Sequence, residues 1–365
     1  MGESSDELKA QRASLRRRCH VLHGAVPEAV HRELERVAGW CEEHDIEADA
    51  YGDGIGLQAF EARVASMLGY PAARFMPSGT MAQQIAVRLW AGRTGSALVG
   101  MHPTCHLELH EQHGYQRLHG LAAVHVGERD RPLLPSDLAA EAERMGSLVV
   151  ELPTRENGGQ LAPWSELVDL CAMARERNIA THLDGARLWE AAAGYDRSLD
   201  EVCDLFDSAY VSFYKGIGAL PGSMLLGASD FIQEAVVWQR RHGGNLYTQM
   251  ANWVSADMRL DSQIANMPAY FQRARDLAAA LATVDGLTIN PAVPHTNMFH
   301  VFLPGDANDL LRARDRIAED HALWLFGGLE QTDVPGIVTF ELAVGDAALS
   351  MPNDGITAAF RELLR

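Results

Sequence analysis

Six short apolar segments recur through the middle of the chain, at residues 97–100, 122–126, 148–152, 179–183, 209–213 and 224–227. Between them lie longer stretches whose apolar positions keep helical spacing, such as 57–68 and 164–177. Parallel strands need a long crossover that is usually a helix, so this alternation reads as βαβ units and predicts an α/β fold on a mostly parallel sheet flanked by helices. Beyond about residue 251 the texture changes to one long amphipathic stretch over 253–284, read as a connecting helix. Candidate strands at 287–290, 297–303 and 337–342, with a helical stretch at 307–320, then predict a smaller C-terminal α+β domain. The expected organisation is an N-terminal segment over 1–48 packing on the small domain or a partner subunit, a large domain over 49–250, and a connecting helix with small domain over 251–365.

A chain of 365 residues with 47% hydrophobic side chains can bury a sizeable core. Its 49 Asp and Glu against 31 Lys and Arg give a formal net charge of -18, which argues against nucleic acid and anionic membrane as general partners. The basic run Arg16-Arg17-Arg18 reads as a solvated helix face. The amino end is polar and acidic, and no apolar run approaches the roughly 20 residues that span a bilayer, so a cytoplasmic location is expected. Cys19, Cys41, Cys105, Cys171 and Cys203 are scattered and odd in number, which argues against a disulfide framework. The Cys19-His20-His23 and Cys105-His106-His110 groups lack a second ligand pair at a metal-binding spacing, and no metal is expected.

Three segments carry chemistry. Asp184, in Thr181-His182-Leu183-Asp184-Gly185-Ala186-Arg187, falls at the carboxyl end of an expected strand, the edge where open α/β sheets bind ligands. Taken alone, it is also a helix N-cap. Lys215 follows another strand and precedes Gly216 and Gly218; its amine, made nucleophilic by desolvation, can form an imine with an aldehyde. Ser78-Gly79-Thr80 opens a helical stretch whose N–H groups and dipole suit a phosphate, with plain capping as the alternative. Together they supply a phosphate cradle, a carboxylate for a ring nitrogen and an imine-forming lysine, which is what pyridoxal phosphate requires. Lys215 would hold the cofactor as a Schiff base and shuttle protons at the substrate α-carbon.

With those residues in view, the sequence resembles the threonine aldolases of the β-eliminating lyase group, fold-type I pyridoxal-phosphate enzymes. The resemblance rests on His182–Trp189, on 212–223 around the lysine, on Pro77-Ser78-Gly79-Thr80-Met81-Ala82, on Tyr51-Gly52-Asp53, on 240–244 and on Thr296-Asn297-Met298. It implies Asp184 as the pyridine partner, Arg187 as the clamp for the substrate carboxylate, and Lys215 as the imine lysine. It also implies His106 as the histidine stacked on the cofactor ring, Ser78, Gly79 and Thr80 at the phosphate, and Ser212 beside the lysine. A homodimer or homotetramer with shared active sites follows from the same resemblance, with Tyr51 and Arg240 as candidates for reaching across.

Four departures fall on the substrate side. Thr154 or Arg155 stands where the family carries a second histidine, and His110 stands where it carries a tyrosine. The stretch from Cys19 to Gly24 replaces an Arg-Ser-Asp-Thr segment, and no arginine stands near Thr339-Phe340-Glu341. Arg155 suggests a further anionic group on the substrate, or a partner for Glu156; Tyr51 and His110 join it as substrate-side candidates. The expected activity is cleavage of the Cα–Cβ bond of a threonine-like β-hydroxy-L-amino acid to glycine and an aldehyde. The base for its hydroxyl is left among His106, His110, a water on Arg155, His20 and His23. β-Elimination or racemisation, and a catalytically silent binding protein of the same fold, are the competing readings.

Overall fold

The computed structural model describes residues 5–26 and 28–365; the first four residues of the polar amino end lie outside that range. The chain forms two compact units, one of residues 30–266 and one in which the described residues up to 29 join 267–365.

The larger unit is built on seven strands: β1 (Ala72–Met76), β2 (Leu98–Met101), β3 (Ala122–His125), β4 (Ser147–Glu151), β5 (Ala180–Gly185), β6 (Ser208–Ser212) and β7 (Ser223–Gly227). Their order across the sheet is β1-β7-β6-β5-β4-β2-β3, and β7 alone runs against the others. Every residue of β5 and β6 is buried, which is the continuous pattern of strands covered on both faces. On one side helix α1 (Gly79–Thr94) sets Ala82, Ile85, Ala86 and Leu89 against Tyr210, Leu225 and Phe231. Helix Trp164–Glu176 packs over β5 and buries Leu167, Leu170, Cys171 and Ala174. Strand β1 goes beyond the sequence expectation, because Arg74 interrupts its apolar run and its only ladder is the antiparallel one with β7.

His182 is the polar anchor of this core. Trp90 Nε1 donates to Ser208 Oγ at 2.7 Å, Ser208 lies 2.8 Å from His182 Nδ1, and His182 Nε2 lies 2.7 Å from Gln83 Oε1. The carboxamide oxygen only accepts, so Nε2 carries the proton and Nδ1 takes the serine hydroxyl. This chain of bonds satisfies the neutral ring, and burial pushes its pKa down to about 3. Unfolded, the ring takes up a proton near pH 6.5, whereas the folded ring does so only near 3; the contribution to stability is therefore full above about pH 6.5 and is lost as the pH falls through that window. His182→Gln is expected to be less stable at neutral pH but to lose less of its remaining stability between pH 7 and pH 5. Urea midpoints at the two pH values check this; an unchanged difference would refute it.

The smaller unit carries a four-stranded antiparallel sheet, in the order Glu330–Gln331, Ile337–Ala343, Met298–Pro304, Thr288–Asn290. His20–Val21 pairs in parallel with Leu323–Trp324. The long helix is observed at Met250–Leu281, with Pro268 inside it. Among the described residues no helix is long and apolar enough to cross a membrane, and no cysteine forms a disulfide.

Candidate active site

The site grows from the carboxyl ends of β4, β5 and β6. Register sets Glu151 opposite Asp184, and Asp184 opposite Tyr210. Asp184 is 1% exposed, and its Oδ1 accepts from the Ala186 N–H at 3.1 Å. Burial raises its pKa, against the pull of Lys215 and His106. Burial and then the Asp184 charge raise Glu151 as well, whose Oε2 is buried without a hydrogen-bond partner. Two carboxyls side by side at a dry strand edge hold an electrostatic demand for a cation or a proton donor.

Lys215 stands half-buried just past β6. Burial lowers its pKa and Arg187 adds to the effect, while Asp184, Glu151 and Glu190 oppose it. The amine is thereby brought toward its nucleophilic free-base form. Gly216 has a local reason: a Cβ there would stand 2.1 Å from Glu190 Oε1, so glycine lets that carboxylate close on the lysine's turn. Arg187, at the N-cap of the helix Leu188–Tyr195, places its charge on both Glu151 and Lys215. Ser212 ends β6, fully buried, with its backbone carbonyl accepting from Trp189 Nε1 at 3.0 Å.

At the other end of the site, Ser78 caps α1, its Oγ accepting from the Met81 N–H at 3.2 Å. A Cβ on Gly79 would meet the Tyr210 hydroxyl at 2.1 Å, so the opening of α1 sits directly against the strand beside Asp184. Thr80 follows in the first turn.

His106 opens the short helix α2 (His106–Leu109). Its Nδ1 is 3.2 Å from Glu111 Oε1, and the buried Glu111 also accepts from Gln84 Nε2 at 2.7 Å. That hydrogen bond, with help from Asp184, raises the His106 pKa; burial and Lys215 work the other way. The His110 ring lies 5.2 Å from that of His106, with His110 Nε2 2.9 Å from Glu156 Oε1. The same Glu156 oxygen takes Arg155 Nη1 at 2.6 Å, and the Arg155 N–H donates to Glu151 Oε1 at 3.2 Å.

Asp184, Lys215, Arg187 and His106 thus come together, with Arg155 and His110 at their flank and Ser78–Thr80 joined through Tyr210. Tyr51 does not share these contacts. It is exposed, with φ 53°, donates its N–H to the Tyr247 carbonyl at 2.8 Å, and packs edge-on against the Tyr247 ring at 5.5 Å. Arg240 lies in the last turn of the helix Ser229–Arg241. His20 and His23 belong to the smaller unit, where His23 Nδ1 accepts from the Ala343 N–H at 3.2 Å. Glu151, Glu111, Glu156 and Tyr210 went unremarked as site residues in the sequence. The signal for Glu151 was its place at the end of a strand, which becomes meaningful once register sets it beside Asp184.

Comparison with known proteins identifies the family. The model of the family described as beta-eliminating lyase matches residues 32–303. A solved structure from Listeria monocytogenes, provisionally assigned as an L-allo-threonine aldolase, superposes with a TM-score of 0.89 at 37% identity, covering 96% of this chain and 98% of that one. Aldolase vrtJ of Penicillium aethiopicum is 31% identical over 264 residues, 70% of this chain and 67% of its own. The low specificity L-threonine aldolase of Escherichia coli O157:H7 is 31% identical over 203 residues, 54% of this chain and 60% of its own.

The residues in hand fit the cofactor of such enzymes, pyridoxal phosphate. A carboxylate 1% exposed, whose Oδ1 accepts a backbone N–H, suits a protonated ring nitrogen, and a lysine of lowered pKa suits an aldehyde carbon. With its fold, its lysine and a family match running from residue 32 to residue 303, this chain belongs to the beta-eliminating lyase family, a group of pyridoxal-phosphate enzymes.

Proposed function

We propose that this enzyme cleaves the Cα–Cβ bond of a threonine-like β-hydroxy-L-amino acid, releasing glycine and an aldehyde. The observation that carries the reading is the convergence of Lys215, its pKa lowered, with the buried Asp184 and with His106 at one sheet edge. Bound there, pyridoxal phosphate supplies an aldehyde for an amine and a protonated ring that draws electron density from Cα. Ser78, with the first-turn N–H groups at Gly79 and Thr80, receives the phosphate. Asp184 would keep the ring nitrogen protonated, His106 would lie against the ring, and Ser212 would line the lysine's side. The planar fork of Arg187 takes the substrate carboxylate. Lys215 delivers the proton that completes glycine at Cα. Arg155, His110 and Tyr51 are assigned to the substrate side.

The same reading makes the protein cytoplasmic and a homodimer or homotetramer with shared sites. The family resemblance and the exposed Tyr51–Tyr247 pair support the second point. Incubating the purified enzyme with a panel of β-hydroxy amino acids is expected to yield glycine and the matching aldehyde in equal amounts. Pyruvate with ammonia, or the mirror-image amino acid, appearing in their place would overturn the proposal in favour of elimination or racemisation.

A further inference from the structure

Retro-aldol cleavage needs a group that takes the proton of the substrate's β-hydroxyl. We propose that in this chain the acceptor is His110 Nδ1, with Glu156 as its positioning residue and Arg155 as the clamp on Glu156. The inference rests on the aldolase reading above and names the base within it.

The groups around His106 narrow the choice. Arginine stays protonated at any working pH, which removes Arg155. Glu156 Oε1 is already occupied, held at once by Arg155 Nη1 at 2.6 Å and by His110 Nε2 at 2.9 Å. His106 is tied through Nδ1 to the buried Glu111 and is the ring assigned above to cover the cofactor, which leaves the hydroxyl to another group. Thr154 is 5% exposed and brings only a hydroxyl.

His110 differs from each of these. A carboxylate only accepts, so its contact with Nε2 fixes the proton there and leaves the lone pair on Nδ1. Nδ1 makes no hydrogen bond among the described residues, and the side chain keeps 42% of its surface exposed, which leaves room for a substrate. The ring stands 5.2 Å from that of His106, whose own ionisation feels Asp184 and Lys215, so His110 borders the reacting region. The support is anchored in turn: Arg155 donates its N–H to Glu151 at the end of β4 and its guanidinium to Glu156. A histidine oriented by a carboxylate is the arrangement that general bases commonly use.

The step balances without an oxidant. Nδ1 takes the hydroxyl proton, the C–O bond becomes the aldehyde C=O, the Cα–Cβ bond breaks with its electron pair left at Cα, and a proton from Lys215 joins that carbon to give glycine. The His110 proton then passes to solvent, and solvent returns one to Lys215.

The test compares two reactions of the holoenzyme. Loss of the glycine α-proton to D2O needs Lys215 but no hydroxyl base, whereas aldehyde formation from threonine or phenylserine needs both. His110→Asn is expected to cut kcat for cleavage by about 10²–10⁴ and to leave glycine exchange within a few-fold of wild type; added imidazole should restore part of the cleavage in His110→Gly. For Glu156→Gln, kcat should fall less than for His110→Asn, and KM should change little. Cleavage by His110→Asn at the wild-type rate would overturn the inference, as would equal loss of cleavage and exchange. A wild-type enzyme that exchanges glycine yet cleaves no β-hydroxy amino acid would instead overturn the aldolase reading itself.

Discussion

Lys215→Ala is expected to yield a folded protein without the visible absorbance that borohydride abolishes in the wild type, with cleavage reduced by about 10³-fold or more as covalent anchor and proton donor are lost together. The physical basis is the lysine's setting: burial and Arg187 lower its pKa, and Asp184, Glu151 and Glu190 restrain that fall. Absorbance spectra before and after borohydride, with mass analysis of the reduced protein, check the first half; threonine cleavage kinetics check the second. A variant that keeps a borohydride-sensitive band would show that another amine carries the cofactor.

The second large effect is expected at Asp184→Asn, which keeps the shape of the side chain and removes its charge. A fall in kcat on the order of 10²–10³ is expected, the scale for deleting one preorganised electrostatic partner from a dry site. The neighbour across the ladder complicates the outcome in a testable way. Glu151 is pushed up by burial and by the Asp184 charge, so the substitution relieves part of that repulsion and lets Glu151 ionise more readily. Part of the lost negative charge is thereby restored at the same strand edge. Glu151→Gln on its own should therefore cost little, while the double variant should lose more than the two single losses predict together. Steady-state kinetics on the four proteins complete the cycle, and strict additivity would refute the coupling.

The residues that were legible in the sequence are those whose meaning is local. Asp184 and Lys215 each end an apolar run, and a strand's carboxyl edge can be found from hydrophobic pattern alone. The parallel sheet, the long helix and the smaller unit's strands at Thr288–Asn290, Met298–Pro304 and Ile337–Ala343 were accessible for the same reason, whereas the two-residue strands His20–Val21, Leu323–Trp324 and Glu330–Gln331 were not. What stayed hidden depends on contacts between distant segments. Strand β1 was missed because it joins an edge through a partner far along the chain, the antiparallel β7. Glu111 lies five positions after His106, a spacing that says nothing until the turn after α2 brings its carboxylate back to the ring. The sequence left Arg155 between an anion on the substrate and a partner in Glu156; the 2.6 Å ion pair is there, and it redirects attention to the histidine on the far side of that carboxylate.

Gly79 and Tyr210 bear on how such a protein can change over generations. With the phenol hydroxyl occupying the space a methyl group would need, position 79 admits a larger residue only if position 210 yields a smaller one. Tyr210 in turn is the ladder neighbour of Asp184, so trimming it disturbs the carboxylate's wall. The opening of α1 and the carboxyl end of β5 are therefore inherited as a matched set: the turn at Gly79 cannot drift without the wall that holds Asp184.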